Sequence, residues 1–261
     1  MSFNAEWLEL REPADRAARN ADLARDVADH LAGRGDVRIV DLGAGTGANV
    51  RALSPLIAAR QTWRLIDWDA ELLARAPRLD GVVIETDVRD LAPGLDALSF
   101  DGADLVSASA LIDLVSSAWF DKIVRKSVTA GGAIYMALSY SGAVAFDPVD
   151  ESDSTIIECI NRHQRGDKGF GPALGPDCVT HMAAACARAG LRVALAPSDW
   201  RLGAKDAALL HELLAGWATT AGKIAPERAA QFDAWLTGRA AQIDAGTLRV
   251  TVGHGDLFAR V

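Results

Sequence analysis

Continuous apolar stretches alternate with stretches of helical character through the first half of the chain. The apolar stretches are VRIVDLG (37–43), TWRLID (62–67), GVVIET (81–86), ADLVSAS (103–109) and GAIYMAL (132–138). Helices are predicted between them, over 46–60, 69–77 and 117–129. Runs without polar alternation are typical of strands that are covered on both faces, and parallel strands need helical crossovers. The pattern therefore predicts an α/β fold, with a mainly parallel sheet between two layers of helices.

Two stretches depart from this alternation. An amphipathic helix is predicted over about 14–33, within an N-terminal helical cap of residues 1–34. Residues 140–178 are rich in glycine, proline and polar residues, with one short helical window near 154–164. We interpret 140–178 as an insertion that forms part of a substrate site. The remaining predicted elements are helices at 178–189, 204–221 and 226–241 and strands at 191–197 and 248–259. Residues 1–261 are thus predicted to form a single domain.

Composition narrows the class of protein. Acidic residues outnumber basic ones, 35 to 27, for a formal net charge of −8, which disfavours binding to nucleic acids. The three cysteines form no CxxC pair and the histidines lack ligand spacing, so we expect neither a disulfide framework nor a metal site. No apolar stretch approaches the length of a membrane span. We expect a cytoplasmic protein with no membrane partner.

The segment Asp41-Leu42-Gly43-Ala44-Gly45-Thr46-Gly47 joins the first predicted strand to the first predicted helix. Its glycines allow a close backbone approach to a ligand, and the helix start offers unpaired N–H groups. Gly43, Gly45 and Ala48 also satisfy the dinucleotide-binding pattern. The glycines therefore predict a ligand-binding loop but leave open which ligand it binds.

Carboxylates at the strand ends indicate which ligand the glycine loop prefers. Asp41 would repel a pyrophosphate, whereas it suits a ligand that carries an ammonium group. Asp67 ends the second strand and is placed to accept both hydroxyls of a ribose. Asp87 ends the third strand, where a carboxylate can accept from an adenine amino group. These positions favour S-adenosylmethionine, which has an ammonium, a sulfonium and an adenosine but no phosphate.

The order of these motifs resembles that of the class I S-adenosylmethionine-dependent methyltransferases. The similar segments are DLGAGTG, RLIDWDAELLARA, ETDVRDL, DLVSASALIDLV and GGAIYMALS, within about 37–139. The resemblance implies a Rossmann-like, seven-stranded sheet of order 3-2-1-4-5-7-6, in which 248–259 supplies an antiparallel strand. It also implies S-adenosylmethionine as cofactor and S-adenosylhomocysteine as product. The cofactor-binding residues that we predict are Asp41, Gly43, Ala44, Gly45, Gly47, Asp67, Trp68, Asp87, Val88, Ser107, Ala108 and Ser109.

The methyl acceptor is less constrained. Methyltransferases of this class that modify nucleobases or protein amides carry an Asn/Asp-Pro-Pro-Tyr/Phe-like motif after the fourth strand, where this chain has Ser107-Ala108-Ser109-Ala110-Leu111. This departure favours a small-molecule acceptor. His163 is the candidate general base, with a solvated loop as the alternative interpretation. Arg165 or Lys168 is placed to bind an anionic substrate. The substrate-binding residues that we predict are Arg16, Asn20, Asp113, Gln164, Lys168 and Phe170.

Two other functions remain open at this point. A nicotinamide-dependent oxidoreductase would use the same glycines, although the chain has no Tyr-x-x-x-Lys pair for proton relay. A non-catalytic protein that binds S-adenosylmethionine or a nucleotide would keep the motifs without turnover. Exposed Trp or Leu residues on the helices of 204–241 would allow a homodimer.

Overall fold

A computed structural model describes residues 4–261 of the chain. Its central sheet has the order β3-β2-β1-β4-β5-β8-β6, with the short β7 paired to β8. The strands are β1 Asp36–Leu42, β2 Arg60–Asp67, β3 Val82–Val88, β4 Leu105–Ser109, β5 Ala133–Asp147, β6 Arg192–Pro197, β7 Trp200–Leu202 and β8 Arg249–Arg260. Strands β1 to β5 are parallel, and β8 runs antiparallel to β5 and β6. The predicted strand order is confirmed, and β7 is an eighth strand that the sequence did not predict.

The helices form a layer on each face of the sheet and a third group at one end. They are α1 Ala5–Ala18, α2 Ala21–Leu31, α3 Ala48–Leu53, α4 Ala70–Leu73, α5 Leu91–Gly94, α6 Ser117–Ala130, α7 Asp153–Gln164, α8 Cys178–Arg188, α9 Ala207–Ile224 and α10 Ala229–Asp244. One core cluster joins α6 and α8 to the sheet, and a second joins α2 and α3 to its other face. A third cluster packs α7, α9 and α10 against the distal parts of β5 and β8. In the described part of the chain, no helix is both long and apolar enough to cross a membrane.

The N-terminal region is two helices rather than the single helix predicted over 14–33. The chain turns at Arg19 and Asn20, and the Asn20 side chain accepts from the Leu23 N–H at 3.0 Å as the cap of α2. Asparagine is a favoured N-cap because its side-chain oxygen satisfies an unpaired donor of the first turn. The turn lets α1 lie across the ends of the strands while α2 packs on the sheet.

Three predicted element boundaries were wrong. The helix predicted over 46–60 ends at Leu53 and continues as a 3₁₀ turn with Pro55, which cannot extend an α-helix as donor. The helix predicted over 69–77 covers only Ala70–Leu73. Strand β5 does not end at Leu138 but runs to Asp147, through two register shifts against β8. The first part of 140–178 is therefore strand, and α7 occupies the helical window.

Candidate functional site

The glycine loop follows β1 and adopts a backbone that favours glycine. Gly43, Gly45 and Gly47 have φ values of 60°, 52° and 80°. A Cβ atom at Gly47 would lie 2.7 Å from Pro77 Cδ. Gly47 is also the left-handed N-cap residue of α3. The glycines of the motif thus occupy positions where a side chain would be strained or would collide with a neighbour.

Asp41 places a buried carboxylate directly before this loop. Its side chain is nearly inaccessible, and its Oδ1 accepts from Asn49 Nδ2 at 2.7 Å and from Ser107 Oγ at 2.6 Å. Burial raises the pKa of Asp41 to about 6, against the opposing effects of these two hydrogen bonds and of Arg19. Within residues 4–261, no cationic side chain lies within ion-pair distance of Asp41. The site therefore holds a carboxylate that only neutral groups contact.

Asp67 ends β2 on the other side of the loop. Its Oδ2 accepts from the Gly45 N–H at 2.8 Å, and its Oδ1 accepts from the Asp69 N–H at 3.0 Å. Burial raises the pKa of Asp67 as well. Each carboxylate oxygen has a second lone pair, so both oxygens keep an acceptor position for a ligand.

A cavity of about 400 Å³ lies over these groups. It brings together many of the residues predicted from the sequence, from the glycine loop, from β2, from β4 and from the 140–178 segment. These residues are Asp41, Gly43, Ala44, Gly45, Asp67, Trp68, Ser109, Lys168 and Phe170. Trp68 is 56% exposed, which is unusual for so large an apolar side chain. The strand ends therefore converge on one site, as expected for an open α/β sheet.

Five of the predicted cofactor residues do not line the cavity. Ser107 instead holds Asp41, and Ala108 is buried in the core. The Asp87 carboxylate is held by Arg64 Nη2 at 2.5 Å and by Arg89 Nε at 3.3 Å, and Val88 is exposed. The predicted adenine contacts of Asp87 and Val88 thus have no support from the cavity lining. Gly47 is also absent from the lining, because it caps α3 and packs against Pro77.

Most predicted substrate residues also lie elsewhere. Arg16 is exposed and pairs with Glu12, and Asn20 caps α2. Asp113 is buried outside the lining, and burial raises its pKa to about 6. His163, the candidate base, lies behind Lys168 and not on the cavity wall, and Gln164 is likewise outside the lining.

Helix α1 supplies cavity residues that the sequence gave no reason to expect. Leu8, Arg11, Glu12 and Asp15 all line the cavity. Arg11 donates to both oxygens of Asp15, at 2.9 and 3.1 Å, and Trp200 Nε1 donates to Asp15 Oδ1 at 2.9 Å. The i, i+4 spacing of Arg11 and Asp15 was a visible signal. The sequence placed Arg16 and Asn20 of this region at the substrate site, but it did not identify the α1 residues that line the cavity.

Other missed residues follow the predicted strands. Asn49 and Arg51 come from α3, and Asp90 follows β3 by two residues. Leu111 and Leu114 form an apolar wall after β4. Arg19 also reaches this edge, because its Nη2 donates to Ser109 Oγ at 2.8 Å. A strand end followed by a polar residue was the available signal for Asp90.

Comparison with known proteins is informative at the level of the fold. No family model matches the chain, and no curated protein matches it. A cyclopropane-fatty-acyl-phospholipid synthase-like protein from Lactobacillus casei aligns over 99% of this chain and 94% of its own, at 12% identity and a TM-score of 0.52. The YcgJ protein from Bacillus subtilis aligns over 92% and 98%, at 13% identity and a TM-score of 0.50. Both likenesses extend over nearly the whole chain, and the strand order is the one implied by the motifs. The chain has the class I methyltransferase fold.

A third solved structure also aligns with the chain. It is an S-adenosylmethionine-dependent methyltransferase from Geobacter sulfurreducens, in complex with S-adenosylhomocysteine, and it aligns over 99% of this chain and 98% of its own, at 16% identity and a TM-score of 0.49.

The position of the cavity follows a general rule of open α/β sheets, in which ligands bind outside the carboxyl ends of the strands. The cavity over Asp41 and Asp67 lies at that edge.

Proposed function

We propose that this protein is an S-adenosylmethionine-dependent methyltransferase that acts on a small-molecule acceptor. The observation that carries the proposal is the Asp41 carboxylate, which is buried at the head of the glycine loop and has no cationic partner in residues 4–261. A buried carboxylate is costly unless an opposite charge or strong hydrogen bonds compensate it. A cationic ligand in the cavity would supply that charge.

The surrounding groups fit the rest of such a ligand. Asn49 Oδ1 is buried and has no hydrogen-bond partner among the described residues, so it offers an acceptor beside Asp41. Asp67 offers two carboxylate oxygens that suit vicinal hydroxyls. Because Gly43 and Gly45 have no side chains, the space between the Asp41 and Asp67 carboxylates stays open to a ligand. These acceptors therefore suit an ammonium at one end and the hydroxyls of a ribose at the other.

Asp41 disfavours a dinucleotide. A pyrophosphate at the glycine loop would lie near the Asp41 carboxylate, and like charges repel strongly in a partly desolvated site. An oxidoreductase function is therefore the weaker hypothesis. The cavity volume of about 400 Å³ lies in the size range of small-molecule sites.

The sulfonium group supplies a methyl carbon that is already activated toward a nucleophile. The chain must then bind, orient and desolvate the reactants, which supplies much of the rate enhancement in such displacements. Leu111, Leu114 and Phe170 form an apolar wall that limits water in the cavity. With His163 off the cavity wall, the structure favours catalysis by positioning over catalysis by a general base. The cytoplasmic location and the homodimer stay predictions.

The proposal is tested by calorimetric binding of S-adenosylhomocysteine to the wild type and to Asp67→Ala. Loss of a carboxylate that binds two hydroxyls should cost about 1.5–3 kcal/mol, a weakening of roughly tenfold to hundredfold. Asp233→Ala, on the exposed face of α10, is the matched control and should bind as the wild type does. Binding of NAD in place of S-adenosylhomocysteine by the folded wild type would contradict the proposal.

A further inference from the structure

The cavity lining contains one cation that differs from the others. Arg11, Arg51 and Arg89 line the cavity, and each has a carboxylate partner, Asp15, Glu12 and Asp87 respectively. Lys168 also lines the cavity, but no carboxylate of residues 4–261 lies within ion-pair distance of its ammonium group. Its charge is therefore the one that the described chain leaves uncompensated in this lining.

Two contacts hold the Lys168 ammonium in place. Its Nζ donates to the carbonyl oxygen of His163 at 2.9 Å and lies 2.9 Å from His163 Nε2. Burial and the charge of Lys168 lower the pKa of His163, so the ring is neutral near pH 7 and its Nε2 can accept. An ammonium group has three N–H donors, and His163 uses two of them. The third N–H has no partner among residues 4–261 and is available to a ligand.

The loop that carries Lys168 is fixed rather than open. Asp167 and Pro172 form a β-bridge, and Asp167 Oδ1 accepts from the N–H groups of Gly169 and Gly171 at 2.7 and 3.0 Å. This hairpin presents Lys168, Gly169 and Phe170 to the cavity. The ammonium group is thus positioned by the fold and not by chance rotation of a surface side chain.

The neighbouring wall is apolar and aromatic. Phe170 packs edge-to-face on Trp119, with ring centroids 5.4 Å apart, and Trp119 Nε1 donates to the Leu91 carbonyl oxygen at 3.0 Å. Leu111 and Leu114 extend this wall. Burial lowers the pKa of Lys168, a cost to its charged form that a bound anion would offset.

We propose that Lys168, held by His163, is the specificity-determining residue for an acceptor that carries an anionic carboxylate or phosphate group on an apolar body. The proposal rests on the proposed function, because it takes the glycine-loop end of the cavity as the cofactor site. His163 acts in it as a positioning residue. A charge-assisted hydrogen bond from a fixed ammonium distinguishes an anion from a neutral isostere.

The test uses benzoate, phenyl phosphate and benzamide as probes, titrated calorimetrically into the full chain saturated with S-adenosylhomocysteine. At least one anionic probe should bind about tenfold more tightly than benzamide, because a hydrogen bond to a charged group is worth about one decade. Comparison of benzoate with phenyl phosphate tells carboxylate from phosphate recognition. If neither anion binds more tightly than benzamide, the proposal is wrong.

Variants separate Lys168 from general effects on the fold. Lys168→Met should lose the preference for the anion while its affinities for benzamide and S-adenosylhomocysteine stay unchanged, and Lys168→Arg should retain the preference. Arg165→Met is the matched control, because Arg165 is exposed, pairs with Asp177 and does not line the cavity. His163→Ala should weaken anion binding by a smaller factor than Lys168→Met does.

Two results would overturn the assignment while leaving the proposed function intact. If Lys168→Met weakens S-adenosylhomocysteine as much as it weakens the anions, Lys168 binds the cofactor and not the acceptor. If Arg165→Met has the same effect as Lys168→Met, the preference comes from net charge and not from this site. Failure of S-adenosylhomocysteine to bind the wild type would instead count against the proposed function.

Discussion

Two buried aspartates in this molecule have opposite surroundings. Asp153, in the cluster of α7, α9 and α10, accepts from Arg239 Nη2 at 2.5 and 2.7 Å and from Trp235 Nε1 at 2.8 Å. Asp41 accepts only from an amide and a hydroxyl. Arg239 is itself 1% exposed and stacks on Phe146 at 4.7 Å. The first carboxylate has a built-in counter-charge, and the second does not.

The difference separates a structural polar group from a ligand-binding one. In the region of α7, α9 and α10, Asp153 and Arg239 neutralise each other, and the rings of Phe146 and Trp235 cover Arg239. This ion pair stabilises the packing of those helices. In the cavity, Asp41 has no cationic partner in the described chain, and in our proposal a bound cation offsets the cost of its burial. The same residue type thus serves stability in one region and, in our proposal, binding in the other.

Arg239→Met should give the largest effect, because it leaves Asp153 as a buried charge without a partner. Breaking a buried ion pair in this way costs about 3–5 kcal/mol. The measurement is the free energy of unfolding in urea. Arg60→Ala, the control, removes the exposed Arg60–Asp36 pair and should change the free energy of unfolding little. Equal stability of the two variants would show that the Asp153–Arg239 pair is not structural.

Asp41→Asn should act in the opposite direction on stability. The amide keeps an oxygen for Asn49 and Ser107 but removes the buried charge, so the protein without ligand should be as stable as the wild type or more so. Affinity for S-adenosylhomocysteine should fall by about 1.5–3 kcal/mol, through loss of the charged partner of its ammonium. Asp153→Asn is the comparison, and it should lose stability. A loss of stability in Asp41→Asn would remove the contrast between the two aspartates.

Binding should depend on pH in the same range in which Asp41 titrates. Its pKa is raised from 3.8 to about 6, so its contribution to stability without ligand is fully present below about 4 and is lost as pH rises through about 6. The charged form is the one that binds a cation. Affinity of the wild type for S-adenosylhomocysteine should therefore fall by up to about tenfold per pH unit below 6.

Asp67 and Asp113 also have raised pKa values, and Arg19 acts on Asp41, so the wild type alone does not assign this pH dependence. The difference between the wild type and Asp41→Asn isolates the contribution of Asp41. The variant should show a flatter profile of affinity against pH, measured by calorimetry. Parallel profiles would assign the titration to another group.

Asp87→Asn should have the smallest effect. Because Arg64 and Arg89 hold its carboxylate outside the cavity lining, we expect affinity for S-adenosylhomocysteine to change by less than about threefold. Asp90→Asn, within the lining, should weaken binding more. A tenfold loss in Asp87→Asn would instead support the adenine contact that its place in the sequence predicts.

The residues of the candidate site that stand at the ends of β1 and β2 were predictable from the sequence. Asp41, the glycines and Asp67 come at the ends of apolar runs, and parallel strands bring their carboxyl ends to one edge. The same logic gives the position of Asp87 near the end of its strand but not the partner of its side chain. Arg64, on the neighbouring strand, decided that.

The sequence named Lys168 and Phe170 of the 140–178 segment as substrate-binding residues, and both line the cavity, but it did not name the cavity residues of α1. The predicted helix began only at about residue 14, and the place of Leu8 to Asp15 over the cavity depends on contacts such as that of Trp200 with Asp15, 185 residues apart in sequence. His163 was the residue with catalytic chemistry in that segment, yet the hairpin brings Lys168 and Phe170 to the wall and leaves His163 behind them.

The sequence by itself determined the fold class and placed the glycine loop and its carboxylates at strand ends, and the resemblance of its motifs to the class I methyltransferases implied the strand order. The fold class and the position of the loop depend on apolar periodicity, on residues that tolerate positive φ and on charges next to strand ends, all of which are local properties of the chain. The tertiary structure alone decided which buried charges are paired and which side chains face the cavity. Those outcomes depend on contacts between distant segments, and no local pattern encodes the partner that a side chain meets after folding.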